Sequence, residues 1–180
     1  MKVRIETERL LLRNLVPEDC EAAFKWCGDP KVNTFMIYTL YHNAEDVRTW
    51  IESQNQDDPD NCDVGFVLKS SGELIGSGGL YYKPDRDVWT IGYNLRADMW
   101  GHGYTAEAIQ ALIEYVNSIR PIKVIEGEFA VENHNSQRVM EKLGMVYDRD
   151  AEYEKMDGSV RFPAKVFRRE FHTGKEKDGI

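Results

Sequence analysis

The sequence predicts a single α+β domain built on a mixed, mostly antiparallel sheet that is flanked by helices. The chain has 180 residues, of which 42% are hydrophobic and 30% charged, and this suits one domain with a sizeable core. Three strand-like segments follow one another with short, turn-rich connectors, which is typical of antiparallel hairpins. A strand, an amphipathic helix and another strand come next, and a crossover of this kind makes two strands parallel.

The first half of the chain begins with a strand-like run, RLLLRNL, at residues 9–15. A proline and several acids then mark the start of a helix in VPEDCEAAFKWCGD. Residues 30–43 are rich in aromatic side chains and follow neither period, so we expect a loop with a short helical piece. In AEDVRTWIES the apolar residues Val47, Trp50 and Ile51 have helical spacing.

The second half opens with three strands in VGFVLKS, LIGSGGLYYK and VWTIGYNLR, which SGE and PDRD separate. The crossover consists of strand 87–96, helix 103–118 and strand 123–131. A short helix in NSQRVMEKLGM ends at its glycine, and MVYDRDAEYEKM and RFPAKVFRREF form a final hairpin. We expect the domain to span residues 1–172, and residues 173–180 to fray because they lack apolar periodicity.

Composition and charge exclude several classes of function. The net charge of −8 disfavours a nucleic-acid partner, which normally requires a basic face. No run approaches the roughly 20 apolar residues of a membrane span, and the N-terminus lacks the apolar core of a signal peptide, so we expect a cytoplasmic protein with no membrane partner. Cys20, Cys27 and Cys62 are odd in number and form no C-x-x-C pair, so we expect free thiols and no metal site.

The segment MWGHGYTAEAIQALIEYV, at residues 99–116, places two glycines at the start of a helix. The free N–H groups and the dipole of a helix N-terminus bind anions, and Gly101 and Gly103 would let phosphate oxygens approach the backbone. His102 could donate to a phosphate. The alternative is that the glycines only turn the chain. The segment does not fit the P-loop pattern, and Ala106 stands where the dinucleotide fingerprint usually has its third glycine.

The segment IGYNLRADMWGHGYTAEA resembles the acetyl-CoA-binding motif of the GNAT acetyltransferases. It is most similar to the branch that contains the N-terminal alanine and serine acetyltransferases of ribosomal proteins. ERLLLRNLVPED, ELIGSGGL and VENHNSQRVMEKLGM also resemble that branch, in the family's order, from about residue 5 to residue 172. The resemblance implies a V-shaped sheet whose opening accepts the pantetheine arm of acetyl-CoA, while the following helix N-terminus binds the pyrophosphate.

The resemblance also assigns cofactor-binding residues. The pyrophosphate loop would comprise six consecutive residues: Trp100, Gly101, His102, Gly103, Tyr104 and Thr105. The backbone of Tyr93, Asn94 and Leu95 would pair with the pantetheine amides. Asn133 matches an asparagine that contacts the cofactor arm, although it could also cap the late helix. Ser136 matches a serine near the thioester sulfur.

Acyl transfer to an amine requires a deprotonated amine, a stabilised oxyanion and a proton donor for the leaving thiolate. Many members of the family carry a tyrosine acid where this chain has Met140, so Ser136 becomes the candidate donor. The family often offers a glutamate base where this chain has Thr90. The base is therefore unassigned, and Glu107, Tyr93 or a chain of waters are the candidates.

The variable early region is expected to build the acceptor site. Seven side chains could wall this site: Phe35, Met36, Tyr38, Tyr41, Trp50, Tyr81 and Tyr82. An aromatic cluster of this kind is also typical of a core. The acceptor would be a primary amine, either on a protein N-terminus or on a small molecule, and the protein a monomer or a homodimer.

These observations predict an N-acetyltransferase that uses acetyl-CoA as donor. The amine would attack the thioester directly within a ternary complex. The departures at Thr90 and Met140 leave open an acetyl-CoA-binding sensor without turnover. A module that binds ATP or NAD through the GHG loop is a third hypothesis.

Overall fold

The computed structural model describes residues 1–172, which form eight strands and five α-helices. The strands are β1 (Arg4–Glu6), β2 (Leu10–Arg13), β3 (Asn61–Leu68), β4 (Leu74–Lys83), β5 (Val88–Leu95), β6 (Val124–Ala130), β7 (Val146–Glu154) and β8 (Arg161–Glu170). The helices are α1 (Cys20–Cys27), α2 (Pro30–Asn33), α3 (Ala44–Glu52), α4 (Tyr104–Ile119) and α5 (His134–Lys142). The fraying expected of residues 173–180 lies outside the described residues.

The predicted helices and hairpins are confirmed, because short-range signals set their ends. Asn43 caps α3 by accepting a hydrogen bond from the N–H of Asp46 at 2.9 Å. Asp29 does the same for Lys31 at the start of α2, which is the short helical piece expected in this region. The final hairpin is observed as β7 and β8.

All eight strands form one sheet in the order β1-β2-β3-β4-β5-β6-β8-β7. Neighbouring strands are antiparallel except for β5 and β6, which α4 connects. This arrangement confirms the mixed, mostly antiparallel sheet and its single parallel crossover. It also places the start of α4 beside the end of β5.

The sheet opens between its two parallel strands. β5 and β6 pair at Trp89↔Ile125 and Thr90↔Glu126, and both strands continue beyond these pairs. Along this edge, the rest of β5 has no strand partner within residues 1–172. The sheet therefore has the V shape that the resemblance implied, and backbone groups of β5 face the opening.

Two apolar clusters cover the two faces of the sheet. The neighbouring residues Phe66 and Val67 of β3 belong to different clusters, as expected for successive residues of a strand. The larger cluster is built on α4, whose buried stripe comprises Ala108, Ile109, Leu112, Ile113 and Val116. Burying each of the larger side chains contributes about 1.5–3 kcal/mol, so this stripe holds α4 firmly across the sheet.

Strand β1 was not predicted, because a three-residue segment with charged ends is too short to show a period of two. Cys20, Cys27 and Cys62 are free, as expected, and the structure shows that all three are buried. Burial raises the pKa of the Cys27 thiol to about 12, so this cysteine is an unreactive core residue. Among the described helices, none has both the length and the apolar character that crossing a membrane requires.

Candidate active site

The loop between β5 and α4 turns at two glycines with left-handed backbone conformation. Gly101 has a φ of 81° and Gly103 a φ of 79°. A side chain in this conformation costs about 1–2 kcal/mol, so glycine is the residue that suits both positions. Gly103 is the N-cap of α4, and no side chain within residues 1–172 caps this helix. The first N–H groups of α4 are therefore available to an anion.

The remaining loop residues have different orientations. The indole N–H of Trp100 donates to the carbonyl of Leu95 at 2.9 Å, which ties the loop to the end of β5. His102 is exposed, and its ring lies against the ring of Tyr104 with centroids 5.6 Å apart. His102 does not line the cavity that opens between β5 and β6. The structure therefore gives no support for a contact of its side chain inside that cavity.

Two cations flank the glycine loop. Nη1 of Arg9 donates to the carbonyl of His102 at 2.9 Å, and the guanidinium lies 4.4 Å from the centre of the Tyr104 ring. A Cβ placed on Gly103 would lie 3.6 Å from Nη2 of Arg9 and 3.8 Å from Nζ of Lys142. Sequence reasoning missed Arg9, which lies 93 residues before His102 and carries no local signal for this contact.

Glu107 binds Arg9 beside the glycine loop and does not line the cavity. This contradicts the expectation that Glu107 could act as the general base. Its carboxylate accepts hydrogen bonds from Nε of Arg9 at 2.7 Å, from the N–H of Arg9 at 2.9 Å and from Oγ1 of Thr7 at 2.7 Å. Burial opposes ionisation, but these hydrogen bonds prevail and lower the pKa of Glu107. An ionised carboxylate with three donors is a weak base, and it is not placed to reach an acceptor.

A cavity of about 910 Å³ fills the opening between β5 and β6. Most of the predicted site residues line it: Phe35, Met36, Tyr93, Asn94, Leu95, Trp100, Gly101, Gly103, Tyr104, Thr105, Asn133 and Ser136. These residues come from the loop after α2, the end of β5, the glycine loop and the start of α5. The tertiary structure therefore assembles one site from segments that are far apart in the chain.

Tyr93 and Ser136 form a hydrogen-bonded pair on the wall of this cavity. The Tyr93 hydroxyl lies 2.7 Å from Oγ of Ser136. Burial raises the pKa of Tyr93, although its hydrogen bond to Ser136 opposes the shift, so the phenol keeps its proton and is unsuited to act as a base. Asn133 accepts a hydrogen bond from the N–H of Ser136 at 3.2 Å and so caps α5.

Two of the aromatic residues expected around the acceptor lie behind the cavity wall. The hydroxyl of Tyr38 donates to Oδ1 of Asn94 at 2.9 Å, so Tyr38 supports a lining residue but does not line the cavity itself. Tyr81 donates to Asp63 and lies under Gly92, where an added Cβ would be 3.3 Å from its ring. The structure therefore corrects both expectations, because neither ring lines the cavity.

Three other aromatic residues from the same prediction belong to the core. Tyr41 and Trp50 pack against the cluster around α1 and α3. Tyr82 stacks on Trp89 with ring centroids 5.3 Å apart, against the cluster on the other face of the sheet. Their aromatic character reflects packing of the domain, which is the alternative that the sequence left open.

Comparison with known proteins identifies the family. A family model described as an acetyltransferase (GNAT) domain matches residues 9–146, well over half of the chain. The chain belongs to the GNAT acetyltransferase family. Acetyl-CoA is accordingly the acetyl donor, as the sequence resemblance implied. An uncharacterised N-acetyltransferase, p20 of Bacillus licheniformis, is 30% identical over 160 residues, which cover 86% of this chain and 89% of that protein.

Solved GNAT structures share the fold. The microcin C7 self-immunity acetyltransferase MccE, in complex with acetyl-CoA and AMP, has a TM-score of 0.80 at 18% identity and covers 92% of this chain and 94% of its own. RimL, a ribosomal L7/L12 α-N-protein acetyltransferase in complex with coenzyme A, has a TM-score of 0.82 at 16% identity, with coverage of 93% and 98%. At these identities the likeness establishes the architecture.

Two glutamates that the sequence did not single out lie on the β6 side of this GNAT cavity. Glu126 and Glu128 both line it. Burial opposes ionisation of Glu126, but hydrogen bonds from Arg149 and Arg86 outweigh it and lower its pKa. Glu128 is more exposed than Glu126, and its partial burial raises its pKa, with Arg149 and Arg86 opposing the shift. Period-two alternation in VIEGEFA was the available signal, since it places both carboxylates on one face of the strand.

Proposed function

We propose that this GNAT protein transfers the acetyl group of acetyl-CoA to a primary amine by direct attack in a ternary complex. The observation that carries this proposal is the opening between β5 and β6, which runs from the glycine loop to the Tyr93–Ser136 pair. It provides one continuous site in which a thioester and an amine can meet. Proximity of this kind removes much of the entropic barrier to a bimolecular reaction.

The residues present fit acetyl-CoA. The uncapped start of α4, with Arg9 and Lys142 beside Gly103, suits the negatively charged pyrophosphate. The backbone of Asn94 and Leu95 on the open edge of β5 suits the amides of the pantetheine arm. The side-chain amide of Asn133 also lines this part of the cavity and offers a further contact.

In the transfer itself, the lone pair of the amine nitrogen forms a bond to the thioester carbonyl carbon. Free N–H groups on the β5 edge stabilise the oxyanion that develops. The C–S bond then breaks and its electron pair leaves with the sulfur. The sulfur takes a proton from the hydroxyl of Ser136, which Tyr93 hydrogen-bonds, and the serine oxygen is reprotonated by the proton that the nitrogen releases as the amide forms. The products are an acetylated amine and CoA as a free thiol.

The amine must first lose a proton, because an ammonium group has no lone pair. We assign this step to Glu128, the lining carboxylate that makes no hydrogen bond or salt bridge within residues 1–172 and whose pKa burial raises. A carboxylate with a raised pKa is a better proton acceptor near neutral pH. Glu126 is unsuited to this role, since it is held in salt bridges by Arg86 and Arg149.

Calorimetry followed by an assay of thiol release tests this proposal. Acetyl-CoA is titrated into the protein, with ATP and NAD as parallel controls, and CoA thiol is then measured with a panel of primary amines. Selective binding of acetyl-CoA and release of thiol with at least one amine would support the proposal. Binding without transfer to any amine would instead favour a sensor, and stronger binding of ATP or NAD would favour a nucleotide-binding module.

A further inference from the structure

The cavity is electropositive although the chain as a whole is acidic. The protein has a formal net charge of −8. Within the described residues, two acids line the cavity, against six basic side chains: Lys31, Lys83, Arg86, Arg138, Lys142 and Arg149. The phosphates of acetyl-CoA account for the positive charge beside the glycine loop. They do not account for Arg86 and Arg149, which lie where β5 and β6 part.

Glu126 holds these two arginines in place. It is 4% exposed, and it pairs with Thr90 at the last residue pair before the strands diverge. Its carboxylate lies 2.7 Å from Nη1 of Arg86, 3.1 Å from Nη2 of Arg149 and 3.6 Å from Nη1 of Arg168. One buried carboxylate therefore organises three guanidinium groups, so they are positioned before any ligand arrives.

The arginines keep hydrogen-bonding capacity for a ligand. A guanidinium has five N–H donors, and Arg86 gives one hydrogen bond to Glu126. Arg149 also forms a salt bridge with Asp148. Within residues 1–172, Arg86 forms a salt bridge with Glu126 alone, and Glu126 also binds Arg149 and Arg168. The side chains of Arg86 and Arg149 are 43% and 44% exposed. They thus present free donors to the cavity in the planar geometry that suits a carboxylate.

Glu128 lies two residues after Glu126, on the same face of β6. Residues two apart in a strand are separated by about 7 Å, so the backbone of Glu128 lies about this far from that of Glu126, and both residues line the cavity. The site therefore offers one contact for an amine and one for an anion on the same small molecule.

We propose that the acceptor is a small amine that carries a carboxylate, with the carboxylate held by Arg86 and Arg149 and the amine directed at Glu128. This inference rests on the proposed amine acetylation and adds the class of the acceptor. An amino acid has the required pair of groups. A polyamine would bring a second cation towards the arginines, and a peptide N-terminus would offer them a neutral amide carbonyl.

The roof of the cavity is the loop after α2, and its contacts favour a small acceptor. The loop after α2 is tied to the final hairpin, where the hydroxyl of Tyr153 donates to the carbonyl of Phe35 at 2.6 Å and Nζ of Lys155 donates to the carbonyl of Met36 at 2.8 Å. Phe35 and Met36 of this loop line the cavity, as does Val166. These apolar contacts suit the side chain of an apolar amino acid.

The test compares acceptors that differ at the carboxylate alone. L-leucine, L-methionine, L-phenylalanine and L-alanine are each assayed against their primary amides and against short peptides that begin with the same residue. Thiol release gives kcat/KM, and calorimetry in the presence of CoA gives binding without turnover. We expect at least one amino acid to exceed its amide by tenfold or more in both measurements. Amides or peptides that match the amino acids would overturn the inference while leaving amine acetylation intact.

Variants separate the inference from the proposed function. Arg86→Gln and Arg149→Gln are expected to abolish the preference for amino acid over amide, with the Kd of acetyl-CoA unchanged. Arg161→Gln, an exposed arginine of the β7–β8 hairpin, is the matched control and should retain the preference. A preference that survives both variants would overturn the inference. Carboxylate-selective binding without transfer to any amine would support the ligand class assigned to the arginines and contradict the proposed function.

Discussion

The hydroxyl of Tyr93 lies 2.7 Å from Oγ of Ser136, which joins β5 to the start of α5 across one end of the sheet opening. Burial keeps the phenol protonated, and Ser136 is itself buried on the cavity wall. In the proposed mechanism this pair passes a proton to the leaving thiolate. It would then substitute for the tyrosine acid that the family resemblance places at the position of Met140.

Removal of the Ser136 hydroxyl tests this role. We expect Ser136→Ala to lower kcat by about 10- to 100-fold, because proton transfer in the transition state is lost, while the Kd of acetyl-CoA changes less than threefold. Steady-state kinetics and calorimetry provide the two readouts. Tyr93→Phe should lower kcat less, since the serine hydroxyl remains. An unchanged kcat in Ser136→Ala would limit this residue to packing.

The proposed base predicts a pH dependence. Because burial raises the pKa of Glu128, kcat/KM should fall as pH decreases through a value above the ordinary glutamate range, as the carboxylate takes up a proton. Glu128→Gln should lower kcat by about 100-fold and remove this acidic limb. Glu114→Gln, on the exposed face of α4, is the control. A profile whose acidic limb persists in Glu128→Gln would assign the proton to another group.

The glycine loop predicts a loss of cofactor affinity. Gly103→Ala would place a methyl group between Arg9 and Lys142, where an anion would bind, and we expect the Kd of acetyl-CoA to rise about tenfold, equivalent to about 1.4 kcal/mol. Gly72→Ala is a matched control, since Gly72 also has a positive φ of 75° and lies in the β3–β4 turn. Equal affinities in the two variants would show that the loop glycines only turn the chain.

The lowered pKa of Glu107 means that this residue should contribute to the free energy of unfolding in a pH-dependent way. Its folded-state pKa is lowered, so it stabilises the protein above its unfolded pKa, and this contribution disappears as pH falls through the folded value. Glu107→Gln should lower the free energy of unfolding by about 1–2 kcal/mol at pH 7, the scale of hydrogen bonds to a charged group. Urea denaturation should show this difference shrinking below pH 4. A constant difference at all pH values would contradict the assignment.

Replacement of Lys155 should affect binding of the acceptor and not binding of acetyl-CoA. Its ammonium donates to the carbonyls of Asn33 and Met36 at 2.9 and 2.8 Å and holds the cavity roof. Lys155→Met should raise the KM of the acceptor about 3- to 10-fold, because binding must then order the loop. The Kd of acetyl-CoA should not change. Lys2→Met, which removes an exposed salt bridge to Asp57, is the control.

Short-range patterns account for what could be predicted. The alternation of apolar residues along strands, the stripe on α4 and the asparagine caps all act within a few residues, so the helices, hairpins and crossover follow from the sequence. The glycine loop was predictable for the same reason, as Gly101 and Gly103 immediately precede their helix. Tyr41 and Trp50 show the limit, because a local pattern does not distinguish an aromatic residue of the core from one that lines a cavity.

The sequence by itself determined most of the elements, the family resemblance and the position of the glycine loop. Only the tertiary structure decided which charged groups meet: Arg9 with the glycine loop, Glu107 with Arg9, and Glu126 with three arginines. The physical reason is that a charged side chain takes its partner from strand order and register, which bring distant segments together. Two glutamates that lie two residues apart on β6 thus differ in their partners: Glu126 is held by arginines, whereas Glu128 forms no salt bridge within residues 1–172.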